Sequence, residues 1–280
     1  MPLTVTPLPQ ALGATVTGLD VDALDDATTE QLRDAWHQHL VLFFPGLHLT
    51  EGQHVALGSV FGRLAATSGR DDDHRTHETR GPNGEILVLD GRRRQDRADT
   101  WHTDVTFTEH PPIGSLLSMQ VCPEKGGDTL WSNQYAAYEG LSPAIRGLVD
   151  ELEAVHGRTG LTELSTKAMV ATHPATGRRS LYVNRGWTTG IAGLTATEAR
   201  NLLTLLFEES ERPEHQVRWT WHAGDAALWD NRCTMHYAVN DYGDAERILH
   251  RVTIHESSAP ARGGTAATRL DPGPATRRLS

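Results

Sequence analysis

The apolar residues of this chain come in short runs, most of them β-branched or aromatic and closed off by Gly, Pro, Asn or Asp. That is the pattern of strands and turns. Eight runs qualify: Val41–Phe44, Ile86–Leu89, Ser115–Val121, Asp128–Trp131, Leu181–Val183, Val217–Trp221, Ala226–Trp229 and Ile248–Ile254. Strict alternation in Val217-Arg218-Trp219-Thr220-Trp221 predicts a strand with one buried face and one wet face. So many short strands in 280 residues predict a sandwich or barrel, a mainly β fold with flanking helices. Helices are fewer. Leu32, Trp36 and Leu40 recur every fourth residue within Thr29–Leu40, Ser142-Pro143 is a cap followed by proline, and Thr195-x-x-Glu198 is a capping box.

Two stretches lack apolar anchors. Thr67–Asn83, with Asp71-Asp72-Asp73, reads as a long surface loop and a candidate lid, and residues 257–280 read as a flexible tail, leaving 1–256 as a single domain. No run approaches the roughly 18 apolar residues of a membrane span, which excludes a spanning protein. A formal net charge of -10 argues against a nucleic-acid binder. Two cysteines, Cys122 and Cys233, are too few for a disulfide framework and too far apart for a CxxC motif. With no signal-like N-terminus, the expected location is the cytoplasm.

Fifteen histidines are present, so one counts only when its surroundings ask for a ligand. In Trp101-His102-Thr103-Asp104 the imidazole and the carboxylate lie two positions apart and share a face on an extended chain. They can converge on a metal ion, or they can form a hydrogen-bonded structural pair. Two histidines and one carboxylate would make the facial arrangement of a non-haem iron, with open positions. His110, His156, His173, His222 and His255 have no such partners nearby in sequence. His250, next to Arg251, must point to the opposite face if the segment is a strand.

Four segments, in this order, carry a resemblance: His102–Phe107 (HTDVTF), Gly126–Trp131 (GGDTLW), Trp229–Arg232 (WDNR) followed by His236, and His250–Ile254 (HRVTI). Together they resemble the iron(II)- and 2-oxoglutarate-dependent dioxygenases of the taurine dioxygenase (TauD/TfdA) type, over nearly the whole chain. The resemblance implies a double-stranded β-helix, or jelly roll, with Fe(II) as cofactor and 2-oxoglutarate and O2 as co-substrates. It implies His102, Asp104 and His236 as iron ligands, with Arg251 clamping the distal carboxylate of 2-oxoglutarate and Thr129 donating a hydrogen bond to it. A guanidinium fork suits that role because it matches a carboxylate bidentately. In related halogenases a small residue stands at the carboxylate position, so an intact Asp104 points to oxygenation.

The implied reaction is hydroxylation of an aliphatic C–H in a small anionic substrate, a sulfonate, sulfate ester or phosphate ester. The adduct can collapse to a carbonyl. Arg92, Arg93, Arg94 and Arg158 are candidate substrate contacts, with a solvated turn as the alternative for the first three. Two other readings stand beside it: tailoring of a natural-product or nucleotide intermediate, and a non-catalytic jelly-roll binding protein. A homodimer or homotetramer is the default expectation for a soluble enzyme.

Overall fold

The computed structural model describes residues 2–65, 78–93, 98–157 and 164–257. The N-terminal part contains β1 (Thr4–Pro7), β2 (Ala14–Thr17), α1 (Asp26–His39), β3 (Val41–Phe44), α2 (Glu51–Ser59), β4 (Arg63–Leu64), β5 (Glu78–Arg80) and β6 (Ile86–Asp90). The middle contains β7 (Gly114–Val121), β8 (Thr129–Asn133), α3 (Gln134–Gly140), α4 (Pro143–Val149), β9 (Glu153–His156), β10 (Ser165–Ala168), β11 (Val170–Thr172), β12 (Arg179–Leu181) and β13 (Thr188–Ile191). After α5 (Ala196–Ser210) come β14 (Gln216–Trp219), β15 (Ala226–Asp230), β16 (Thr234–Ala238) and β17 (Ile248–His255).

These strands build an α+β jelly roll. Its large sheet runs β1-β2-β3-β15-β7-β17-β6-β5, with β4 also on β17, and faces a small sheet β14-β8-β16. Strand parity explains the layering, because successive side chains leave a strand on opposite faces. Leu42 and Phe44 of β3, Leu116 of β7 and Val252 and Ile254 of β17 pack outward against α1 and α2, with Trp36 and Phe61 edge to face at 5.2 Å. Phe43, Leu117, Met119 and Leu249 point the other way, against Trp131 and Val217 of the small sheet. Both faces of the large sheet are thus buried, which is why Val41–Phe44 shows no polar alternation.

The three helices that the sequence predicts form as α1, α4 and α5, with local chemistry at their ends, while α2 and α3 were not among those predicted. Asp25 caps α1 by accepting from the Thr28 amide at 2.8 Å, and Leu40, at φ 68°, ends it. The Thr195/Glu198 capping box opens α5. Helix α2 opens with an equivalent box, Thr50 with Gln53. Of the expected loop Thr67–Asn83, Glu78–Arg80 forms an edge strand on β6, while 67–77 and the tail residues 258–280 lie outside the described residues. No helix among the described residues is long and apolar enough to cross a membrane.

Candidate active site

Tertiary structure brings His102, Asp104 and His236 together at one end of the jelly roll. Their donor atoms all lie within 4.8 Å of one another, and Asp104 Oδ1 is 3.6 Å from Nε2 of each histidine. His102 and His236 face each other across an antiparallel bridge, each amide donating to the other's carbonyl, at 3.1 and 2.8 Å. His102 Nδ1 donates to the Thr100 carbonyl at 2.7 Å, leaving the Nε2 lone pair turned toward the carboxylate.

Asp104 is held from both ends. Its amide donates to Asn231 Oδ1 at 2.9 Å, and Asn231 Nδ2 donates to the Asp104 and Pro112 carbonyls at 3.2 and 2.9 Å. Oδ2 accepts from Ser115 Oγ at 3.3 Å and pairs with Arg251 Nη2 at 2.9 Å, so Oδ1 is the oxygen left to face the imidazoles. Val105, next in the chain, sits at φ 40°, a strained value for a β-branched residue of the kind found at functional sites. Burial opposes ionisation of Asp104, but Arg251, His236 and His102 outweigh it and hold the carboxyl well below the usual range. Burial, reinforced by His102, pushes the His236 pKa well down and keeps it neutral. Neutral imidazoles and an ionised carboxylate are the forms that ligate a divalent metal, so the donor set fits Fe(II).

The two inward-facing arginines near β17 divide the interior. The sequence expectation joined Arg251 and Thr129 in one clamp, but the guanidinium beside Thr129 is that of Arg247, with Nη2 3.5 Å from Oγ1 and Nε donating to the Gly127 carbonyl at 3.0 Å. Arg251 instead reaches Asp104 and keeps a buried Nε without a hydrogen-bond partner. Arg247 escaped the sequence reading although a signal was there: it shares strand parity with Arg251 and lies eleven residues beyond His236. His250 faces the opposite way, toward His54 and α2, as parity predicts.

Other candidates fare differently. Arg92 is bound to Asp90 at 2.7 Å and Glu246 at 3.1 Å beside the Ile248 end of β17, away from the triad, so its charge is spent on the surface. Arg93 is exposed, and Arg94 and Arg158 lie outside the described residues. Trp229 packs against His236 with ring centroids 4.8 Å apart and planes tilted by 51°, and Val105, Phe107 and Trp187 form a small apolar cluster beside the ligands. A second grouping, His173, Asp230 and Cys233, is built differently. His173 Nδ1 accepts from the Ala175 and Thr176 amides, so Nε2 carries the proton and donates to Asp230 at 3.0 Å, leaving no lone pair for a metal. A cavity of about 320 Å³ bordered by Arg63, Pro112, Tyr182 and Arg232 contains none of the triad in its walls.

Comparison with known proteins points the same way. The family described as "Taurine catabolism dioxygenase TauD, TfdA family" matches residues 4–253. The chain is 35% identical to an alpha-ketoglutarate-dependent sulfate ester dioxygenase of Pseudomonas putida, over 90% of this chain and 89% of the relative. It is 34% identical to an alkylsulfatase of Acinetobacter baylyi, over 92% and 87%. Among solved structures, a taurine dioxygenase from Burkholderia xenovorans superposes with a TM-score of 0.80 at 36% identity, covering 91% of this chain and 89% of that one.

Proposed function

From the premise that the chain belongs to the TauD/TfdA family, and so is an iron(II)- and 2-oxoglutarate-dependent dioxygenase acting on an anionic substrate, we propose roles for its residues and alkyl sulfate esters as its substrate class. His102 Nε2, His236 Nε2 and Asp104 Oδ1 would hold the iron, with Ser115 and Arg251 keeping Oδ2 occupied. An iron held there would supply the redox chemistry that links oxidative decarboxylation of 2-oxoglutarate to succinate and carbon dioxide with hydroxylation of a substrate C–H.

Two anions must be held, and two guanidiniums are available. Arg247, with Thr129, takes the distal carboxylate of 2-oxoglutarate, replacing the Arg251 assignment. The two guanidiniums are aimed at different partners, Arg247 at Thr129 and Arg251 at Asp104. The observation that carries the substrate reading is Arg251: a guanidinium touching a metal ligand, with a buried donor unused. It holds the substrate anion next to the iron. Val105, Phe107 and Trp187 offer an apolar wall for the carbon chain.

Hydroxylation at the carbon bearing the ester oxygen converts R–CH2–OSO3⁻ to R–CH(OH)–OSO3⁻. This adduct collapses to an aldehyde and inorganic sulfate as the C–O bond breaks and the hydroxyl loses its proton. The relatives named for sulfate esters support this choice. The test is succinate and sulfate release, in the presence of Fe(II), 2-oxoglutarate and O2, across alkyl sulfates, alkyl sulfonates, phosphate esters and free alkanols. One sulfate per succinate from an alkyl sulfate is expected, with Arg251→Met raising KM for the sulfate ester and Arg247→Met raising KM for 2-oxoglutarate. Stimulation by sulfonates or phosphate esters alone overturns the substrate class, and exchange of the two KM effects overturns the arginine roles.

A further inference from the structure

Thr129 Oγ1 does more than sit beside Arg247. It accepts a hydrogen bond from the Trp221 indole Nε1 at 2.9 Å as well as the Arg247 contact at 3.5 Å, and both Thr129 and Trp221 are buried. A hydroxyl has two lone pairs and one proton, and an indole N–H donates only. With the Trp221 bond on one lone pair and the longer Arg247 contact beside it, the Thr129 proton is left to donate. Among the described residues no protein acceptor takes it.

The bond to Trp221 is not what every indole in this cluster makes. Trp131 and Trp229, packed in the same layer, leave Nε1 buried and unpartnered. Trp221 is further tied by Cys122 Sγ, which donates to its carbonyl at 3.1 Å, just beyond the β14–β8 pairing that sets Trp219 opposite Thr129. An indole held on both its ring and its backbone cannot swing away from the hydroxyl without breaking those contacts.

We propose that Trp221 is a positioning residue for co-substrate binding: its N–H holds the Thr129 hydroxyl so that the proton points at the distal carboxylate of 2-oxoglutarate. This rests on the Arg247/Thr129 assignment above. Without the indole N–H, the hydroxyl is free to rotate and its bond to the carboxylate is no longer pre-set.

The experiment is anaerobic titration of 2-oxoglutarate into the Mn(II)-loaded protein by calorimetry, for wild type, Trp221→Phe, Thr129→Val, the double variant of these two, and Arg247→Gln. Losing a hydrogen bond to a charged group predicts roughly tenfold weaker binding for Thr129→Val, and losing its orienting bond roughly fivefold for Trp221→Phe. The double variant is expected to match Thr129→Val alone. Mn(II) affinity is unchanged in Trp221→Phe, and kcat at saturating 2-oxoglutarate is retained while KM for 2-oxoglutarate rises. If Phe does not fold, benzothienylalanine at position 221 keeps the bicyclic ring and lacks the N–H, and serves the same comparison. Additive losses in the double variant, or unchanged affinity in Trp221→Phe while Thr129→Val and Arg247→Gln weaken binding, overturn the inference. Unchanged affinity in both Thr129→Val and Arg247→Gln instead overturns the clamp assignment, and the inference falls with it.

Discussion

Asn231→Ala probes how the metal-ligand segment is held. The side chain is 1% exposed and makes three bonds, one from the Asp104 amide and two to the Asp104 and Pro112 carbonyls. Truncation strands one buried donor and two buried acceptors. An unsatisfied buried group costs about 1–3 kcal/mol, and the vacated space can admit a water that recovers part of this. The expected net loss is about 2–4 kcal/mol, a large share of a domain's roughly 5–15 kcal/mol. The same loss frees the Asp104 backbone and lets Val105 relax from φ 40°, so the carboxylate is no longer pre-aimed at the two imidazoles. Metal affinity should fall by about 10- to 100-fold, the usual cost of removing a partner that orients a ligand. Urea denaturation of the metal-free protein reads the first effect, and Mn(II) titration reads the second. Asn231→Asp serves as the sharper variant, because it keeps the acceptor for the Asp104 amide but sets a carboxylate oxygen against two carbonyls. It should be no more stable than Asn231→Ala. A stability loss below about 0.5 kcal/mol with unchanged Mn(II) affinity would refute the reasoning.

Three further outcomes are expected. In Gly186→Ala the new Cβ would lie 2.8 Å from His102 Cβ, and overpacking of this kind costs about 1–3 kcal/mol; Mn(II) titration should show weaker binding, and wild-type affinity would show that the turn can yield. His54 and His156, depressed to about 4 mainly by burial, are neutral when folded. The unfolded chain therefore binds more protons below the ordinary pKa of about 6.5. Stability is full above that value and falls with pH toward 4, by as much as about 2 kcal/mol per histidine at pH 5. Urea midpoints at pH 7 and 5 check this, and equal midpoints would contradict it. Finally, Mn(II) at about 100 times its dissociation constant should stabilise the protein by about 2.7 kcal/mol over the chelated state, a shift that His102→Ala abolishes in thermal melts.

Much of the architecture was legible because short-range chemistry writes it. Capping residues, the Leu32/Trp36 stripe and β-branched runs between turn residues act over a few positions, and the elements they predict formed within a few residues of the expected ends. The strands missed were of another kind. β9 and β13 are short and pair over a long separation, His156 with Thr188, so their register comes from contacts no local window contains, and β1, β2, β4, β5, β10, β11 and β16 are likewise too short to make a legible run. Arg92 shows the same limit in the other direction, since a residue read as a possible substrate contact is paired with Asp90 and with Glu246, the latter distant in sequence.

For the site, the sequence by itself determined which residue types are present and in what order: two histidines, a carboxylate, a threonine and inward-facing arginines on ordered motifs. That was enough for the family, the chemistry and the metal ligands expected from it. What the tertiary structure decided was who stands next to whom. Arg247 and Arg251 share parity on one extended segment, so sequence spacing cannot divide their work. Only the packing of β17 against β7 and the facing of the small sheet put one guanidinium on Thr129 and the other on Asp104. The same holds for Asn231 and Trp221, whose partners lie 127 and 92 residues away. Their roles arise from hydrogen bonds across the barrel, and such bonds are set by the fold as a whole.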